Sequence, residues 1–385
     1  MTAGEIFVGL MSGSSCDGLD GVVLRIEAGS APRWEVVAHH REPYPDDLGR
    51  RLRELPAATS REVCRLDREL AERAVDLVER LLSGSGSAPW QVQAIGWPGH
   101  TACHLSPPES PRIATLQLGS GAYVAQRTGI PTVSDFRSSD LAAGGQGAPL
   151  VPVADEILLE RRASPDDLVL VNLGGISNVT FLCRGGGDRV AFDVGPGCML
   201  LDALASRATG GELSFDRDGH LAARGVVVPE VLDHWLASPF FALEPPRTAS
   251  REDFGEHFLE ATVARVADAR PVDLLRTAVE LTCRSVRQAV ERWIAPRSPS
   301  LRSLWLAGGG ARHPHLRGGL ETLFAGWDVA LLEERMALRC EEREAAAFAV
   351  LARETLAGRP GNWPEATGAS RAVVLGSVSD VTWGR

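Results

Sequence analysis

The sequence predicts an α/β protein made of two similar lobes. Three observations carry this. A strand, a turn of small residues and a second strand open the chain at 6–26 and recur near its middle at 168–183. Each pair leads into alternating strand-length apolar runs and longer stretches at helical spacing, as in layered α/β folds. The 385 residues suffice for two domains with separate cores. No period of 20–50 residues recurs, which excludes a solenoid. The lobes are expected at 1–130 plus 360–385 and at 131–359.

The elements follow in order. An apolar run at 6–10, a small polar turn at 11–18 and a second run at 19–26 read as a hairpin, with a third strand at 34–38. Thr59-Ser60-Arg61-Glu62 has the form of a capping box. Val63, Leu66, Leu70, Ala74, Leu77 and Leu81 then recur every three or four residues, as on one face of a helix. The acidic residues of this helix read as solvated surface. Ser83-Gly84-Ser85-Gly86-Ser87 ends it, and strands are expected near 92–96, 114–118 and 132–134. In the second half, strands fall at 168–173, 179–183 and 190–194. Helices follow at about 197–208, 251–268 and 272–295. The last carries Leu275, Ala278, Leu281, Thr282, Val286, Ala289 and Trp293 on one face. A strand at 304–307, a helix at 314–324, a strand at 327–332 and a helix at 342–357 complete the chain.

Composition removes several function classes. All 40 basic residues are arginine. Without lysine there is no Walker-A lysine, no Schiff base and no Ser-Lys dyad. The net charge of −10 argues against a nucleic-acid or anionic-membrane surface. Cysteines 16, 64, 103, 183, 198, 283 and 340 form no CxxC and are odd in number. They read as reduced thiols of a cytoplasmic protein. No signal peptide is evident at the first residues, and no apolar run reaches 18 residues, so no membrane partner is expected.

Five segments can carry chemistry. Met11-Ser12-Gly13-Ser14-Ser15-Cys16-Asp17-Gly18-Leu19-Asp20 joins glycine, hydroxyls and a carboxylate between two strands. Such a turn can form an anion-binding nest, and Asp17 can hold Mg²⁺ through water. The same residues also make an ordinary hairpin. Asn172-Leu173-Gly174-Gly175-Ile176-Ser177-Asn178 repeats the design, and the pair suggests a phosphate clamp. Asp193, in Phe192-Asp193-Val194-Gly195-Pro196-Gly197, stands at a strand end before a helix. It reads as a catalytic acid or base, or as a cap. Helix N-termini favour negative charge, so it is expected to be ionised near neutrality. Gly308-Gly309-Gly310 lets a flat ring approach backbone. Residues 135–149 supply carboxylates, one arginine and flexible glycines, which suit the many hydroxyls of a sugar or an ordinary surface loop. His100 and His104 lack the glutamate of a zinc protease, and no GxSxG is present.

These blocks, taken together and in order, resemble the anhydro-N-acetylmuramic acid kinase family. Carrying blocks also include Pro245-Pro246-Arg247, Arg251-Glu252, Glu344-Ala345, Gly361-Asn362 and Thr367-Gly368-Ala369. The resemblance covers nearly the whole chain. It implies a fold of the sugar kinase/Hsp70/actin type with an inter-lobe nucleotide cleft, ATP and Mg²⁺ as cofactors, and a cytoplasmic homodimer acting on a small sugar. The reaction it implies is hydrolytic opening of a 1,6-anhydro bridge with phosphorylation of O6, in the recycling of cell-wall sugars. Asp193 matches the family's base. Gly13, Ser14, Ser15, Asp17, Gly174, Gly175, Asn178, Gly195, Gly197, Gly308, Gly309 and Gly310 fall on the ATP and phosphate side. Thr101, Asp135, Arg137, Asp140, Gly145, Gln146 and Glu344 fall on the sugar side.

The chain departs from the family pattern at Trp97, Pro98, His100, Cys103, Ser120, Asp155, Cys198, Arg247 and His313. Several of these lie near the expected substrate shell. They leave open a diverged member acting on another anhydro sugar, amino sugar or sugar-like metabolite. A non-catalytic nucleotide-binding module and an ATP-independent glycosidase are further alternatives. The retained Asp193 argues against the first and the paired glycine loops against the second.

Overall fold

The computed structural model describes residues 4–13, 15–27, 33–105, 110, 112–159, 167–183, 189–249, 251–263 and 269–381. The chain divides into two compact α/β units, 1–163 with 337–385, and 164–336. The boundaries therefore differ from 130/131 and 359/360. In chain order the strands are β1 (Glu5–Ser12), β2 (Gly18–Ile26), β3 (Trp34–Pro43), β4 (Val92–Gly96), β5 (His100–Leu105), β6 (Ala114–Leu118), β7 (Thr132–Ser134), β8 (Leu168–Leu173), β9 (Ile176–Leu182), β10 (Arg189–Pro196), β11 (Ser303–Ala307), β12 (Asp328–Leu331) and β13 (Ser377–Ser379). The helices that matter most are α1 (Ser60–Ser85), α2 (Val151–Leu159), α3 (Cys198–Ala208), α4 (Pro271–Ala289), α5 (Pro314–Leu323) and α6 (Arg343–Leu356).

The first unit carries a mixed sheet in the order β13-β7-β4-β1-β2-β3, with β5 joining β1 to β6. β1, β2 and β3 form an antiparallel meander, and β4 then pairs with β1 in parallel. Helix α1 starts as its sequence requires. Thr59 Oγ1 accepts from the Glu62 N–H at 3.3 Å, and Gly86 closes the far end in the left-handed conformation. Only half of the capping box forms, because the Glu62 carboxylate takes Arg51 at 2.7 Å. The core lies between the sheet and α1, from Val8, Leu10 and Val23 to Leu66, Leu70 and Leu77. Helix α6 packs backbone to backbone on β1 and β4. A Cβ at Gly9 would stand 1.9 Å from Ala345 O, and one at Gly96 would stand 2.0 Å from Phe348 O. This approach, and the pairing of β7 with β4, place 131–163 and 337–359 in the first unit.

The second unit repeats the plan. β8, β9 and β10 form an antiparallel meander, and β11 and β12 add parallel strands in the order β10-β9-β8-β11-β12. Its core gathers Val171, Phe181 and Phe192 from the sheet with Leu201, Leu275 and Leu316 from α3, α4 and α5. Two expected helices differ in detail. The 251–268 stretch breaks at Gly255 into Arg251–Phe254 and Glu256–Val263, and 264–268 lie outside the described residues. The 272–295 stretch is α4 followed by a π-turn at Val290–Ile294. Strand β5 and helix α2 were not expected. β5 carries no clean apolar alternation, and α2 is too short to show its period. Among the described residues no helix is long and apolar enough to cross a membrane.

Candidate functional site

In the second unit three polar residues line up across the sheet. Asn172, Asn178 and Asp193 are cross-strand partners on β8, β9 and β10. Partners in register project from the same face, while Val171, Val179, Phe192 and Val194 fill the core. A register shift between Asp193 and Gly195 bends β10 directly after the carboxylate. Asp193 is only partly exposed. Its Oδ2 accepts from the Ala249 N–H at 2.8 Å, and among the described residues Oδ1 has no hydrogen-bond donor. Burial drives its pKa up to about 7, with the Asp253 charge adding to the rise. The Ala249 N–H and the Arg247 charge oppose it.

This corrects the expectation that a helix end keeps Asp193 ionised. The leading N–H groups of α3 are already taken. Cys198 N donates to Gly174 O at 2.7 Å, and Gly197 N and Met199 N donate to Gly175 O at 2.9 and 3.1 Å. Asp193 is not a cap either, since the N-cap position is Gly197. Gly197 is thus a packing glycine whose N–H is spent on Gly175. A Cβ there would stand 2.2 Å from Gly174 O.

The glycine loops of this unit converge. A Cβ on Gly308 would meet Leu173 O at 2.8 Å and Asn172 Oδ1 at 2.9 Å, and one on Gly310 would meet Cys198 Sγ at 2.6 Å. Gly309 faces open space. Gly174, Gly175, Gly308 and Gly310 therefore form one packed floor beside the Asn172–Asp193 row. Arg247 braces this floor. Its Nε donates to Asp193 O at 2.9 Å, and its Nη1 donates to the carbonyls of Phe240, Phe241 and Leu243 at 3.3, 3.3 and 2.7 Å. Sequence reasoning gave Arg247 no such role, because its partners are carbonyls and leave no residue-type signal.

In the first unit, Gly13 O accepts from Cys16 N at 3.2 Å. Ser14 lies outside the described residues. Ser15 Oγ donates to Asp17 Oδ1 at 2.7 Å, and Arg41 Nη2 donates to Asp17 Oδ2 at 2.6 Å. Asp17 is exposed and is the loop's one described carboxylate with access to a hydrated cation. Among the described residues no three His, Cys, Asp or Glu side chains gather to hold a metal directly. A lone exposed carboxylate fits Mg²⁺ only through water, with phosphates supplying the inner ligands.

The 135–149 block divides. Asp135 adopts φ 52° and accepts from Ser138 Oγ at 2.6 Å. Arg137 is partly buried, donates to Gly147 O at 3.1 Å, and has no carboxylate partner among the described residues; burial lowers its pKa. His104 on β5 also has an unpartnered buried Nδ1, and burial, then the Arg137 charge, hold its pKa down. Asp140 departs from expectation. It is wholly buried, and its oxygens accept from Gly147 N (2.8 Å), Asn362 Nδ2 (2.6 Å) and Thr367 Oγ1 (2.7 Å). Gly145 packs on it, where a Cβ would stand 2.2 Å from Asp140 Oδ2. Asp140 and Gly145 thus lock the loop to 362–367. Gln146 joins the same lock through its N–H on Thr367 O at 2.8 Å. Thr101 pairs with Gln117 on the β5–β6 ribbon. Glu344, in the first turn of α6, is partly exposed, and burial raises its pKa.

The departures from the family pattern mostly turn inward. Trp97 is fully buried and donates from Nε1 to Gly119 O at 2.6 Å. His100 is buried and bonds Ser12 Oγ through Nδ1 at 2.8 Å; Ser12 Oγ also meets Tyr44 OH at 2.8 Å. Asp155 forms a buried two-point pair with Arg343, at 2.8 and 2.5 Å. Ser120 caps the helix Gly121–Thr128. His313 caps α5 through Nδ1 and meets Asp216 through Nε2 at 3.3 Å. Cys198 lies under Gly310.

The second unit thus brings together a carboxylate whose pKa burial raises to about 7 and a floor of packed glycines, the kind of setting in which acid–base groups are found. The family model described as anhydro-N-acetylmuramic acid kinase matches residues 5–380. A protein of that name from Gloeobacter violaceus is 42% identical over 379 residues, covering 96% of this chain and 97% of that one. Those from Nitrosospira multiformis and Caldanaerobacter subterraneus subsp. tengcongensis are 38% and 36% identical, over 97% of this chain and 98% and 97% of theirs. The chain belongs to the anhydro-N-acetylmuramic acid kinase family.

Proposed function

We propose that this protein is an ATP-dependent kinase that opens 1,6-anhydro-N-acetylmuramic acid with water and phosphorylates O6. The observation that carries the reading is Asp193, a carboxylate held by one backbone donor and raised by burial to about 7. A base whose pKa lies near the working pH is the effective one. The ionised Asp193 takes a proton from the water that attacks C1. The C1–O6 bond breaks, O6 attacks the γ-phosphorus, and ADP leaves. Attack on the face opposite the bridge follows inverting chemistry.

In the second unit the glycine turns at 174–175 and 308–310 would meet the nucleotide, and in the first the 13–17 turn offers a place for phosphate. Asp17 would hold a water of Mg²⁺, whose charge would offset that of the phosphates. On the sugar side, Arg137 offers a cation without a carboxylate partner among the described residues, which suits the lactyl carboxylate of the muramic acid. Thr101, Asp135 and Glu344 offer hydroxyl partners. Trp97, His100 and Asp155 are spent inside the protein, so their difference from the family pattern does not argue for another sugar. The protein acts as a homodimer in the cytoplasm, in cell-wall sugar recycling.

ADP release coupled to product mass tests this. Turnover of the anhydro-muramic acid, with a product heavier by one water and one phosphoryl group, is expected. Levoglucosan, which lacks the carboxylate, should be turned over far more slowly. Equal turnover of the two sugars, or a product without phosphate, would sink the reading.

A further inference from the structure

A cavity of about 540 Å³ opens in the second unit behind the strand end that carries Asp193. Neither Asp193 nor any loop glycine lines it. Helix α4 widens into the π-turn Val290–Ile294, which brings Arg292 and Trp293 to one wall. Phe241, Ser285 and Arg247 form the wall toward β10. The volume is in the range of small-molecule sites.

The lining is cationic and flat. The Arg292 guanidinium lies 4.7 Å over the Trp293 ring, is exposed, and pairs with no carboxylate among the described residues. Arg247 is buried and gives its N–H groups to carbonyls only. The acidic residue on the rim, Glu291, is held by Arg287 at 2.5 Å. Burial, and then the Arg292 charge, pull Arg247 down to about 10 against the opposing Asp193 charge. Two guanidinium groups thus share one cavity and repel each other, with aromatic faces on either side. A small anion with a ring or alkyl face would relieve that repulsion and cover those rings.

The cavity is also mechanically close to Asp193. A Cβ at Gly195 would stand 2.9 Å from Phe241 and 3.2 Å from Ser285 Oγ. Arg247 holds Asp193 O directly. We propose that this cavity is a second ligand site, for a compact organic anion bearing a phosphate or carboxylate, and that its occupancy reaches Asp193 through Arg247. An anion there offsets the Arg247 charge, which helps to hold Asp193 ionised. The acid limb of the activity profile then moves to higher pH.

The test uses the full chain saturated with Mg²⁺ and a non-hydrolysable ATP analogue, so that phosphate loops are already filled. Glucose 6-phosphate and benzoate are titrated separately by calorimetry, to distinguish a phosphate from a carboxylate source. At least one is expected to bind, and Arg292→Ala should weaken it about tenfold or more, in line with losing a charge-assisted hydrogen bond. Arg292→Ala should keep kcat/KM without added anion. In the wild type the bound anion should raise the acid limb of kcat/KM by a few tenths of a pH unit, and Arg292→Ala should abolish that shift. The proposal is overturned if neither probe binds, if Arg292→Ala binds as wild type does, or if the limb stays put with the anion bound. Binding without any muramic acid turnover would overturn the proposed reaction alone.

Discussion

Asp140 in the first unit and Asp193 in the second are the same side chain under opposite conditions. Both belong to sequence blocks that read as functional. Asp140 is wholly buried and receives three hydrogen bonds, from a backbone N–H, an amide and a hydroxyl. Asp193 is partly exposed and receives one among the described residues. Donors stabilise the charged form and consume the lone pairs. A carboxylate with all its donors is a rivet. Asp193, with a single donor among the described residues, keeps an oxygen without one, and burial raises its pKa to about 7. Among the described residues, the two carboxylates differ in the number of donors around them.

The largest effect that can break this comparison is on turnover. Asp193→Asn keeps an acceptor for the Ala249 N–H but has no base. It should lower kcat/KM by about 10²–10⁴, with ATP affinity unchanged in a binding titration. Full activity in this variant would remove Asp193 from the chemistry. Asp140→Ala should act the other way round. It strands the donors of Gly147, Asn362 and Thr367, and should cost about 3–5 kcal/mol in chemical denaturation. A stable but inactive Asp140→Ala would put Asp140 back at the ligand.

Much of this was legible in the sequence. The two hairpins declared themselves because their turns are small and polar between unbroken apolar strands. Thr59 announced α1 because a hydroxyl before an apolar period has a local purpose. The partners of Asp140 were not legible, since Asn362 and Thr367 stand 222 and 227 residues away. The contact boundaries of the units are hidden from the sequence for a similar reason. Gly9 and Gly96 read as ordinary strand residues, yet their missing Cβ atoms are what admit α6 to the first unit. The state of Asp193 was misread because the helix end looked free, whereas carbonyls of the distant 174–175 turn occupy it.

The raised pKa of Asp193 gives a smaller effect on stability. Its folded pKa of about 7 lies above the unfolded value of about 3.9. Between these values the folded state binds more protons, so this residue's contribution falls as pH rises through that window and stays low above it. Asp193→Asn should therefore be more stable than wild type at pH 8, by on the order of 4 kcal/mol, and the gap should close toward pH 4. Denaturation midpoints across that range measure it. A gap that does not change with pH would mean that Asp193 is no more prone to hold a proton than a solvated carboxylate, and its reading as a base tuned by burial would fail.

The smallest effect tests whether the unusual 96–104 segment touches the ligand at all. Trp97 fills the core and ties its indole N–H to Gly119 O. Gly119 has no room for a Cβ, which would stand 2.6 Å from the Trp97 ring. Tryptophan and Gly119 are thus fitted to each other, and among the described residues the indole is the donor to that carbonyl. Trp97→Phe loses that donor and part of the ring volume, and should cost about 1–3 kcal/mol. Because the ring faces inward, KM for the sugar should not change. A raised KM at unchanged stability would mean that this segment shapes the ligand pocket, and the case for the family's usual substrate would then rest on Arg137 alone.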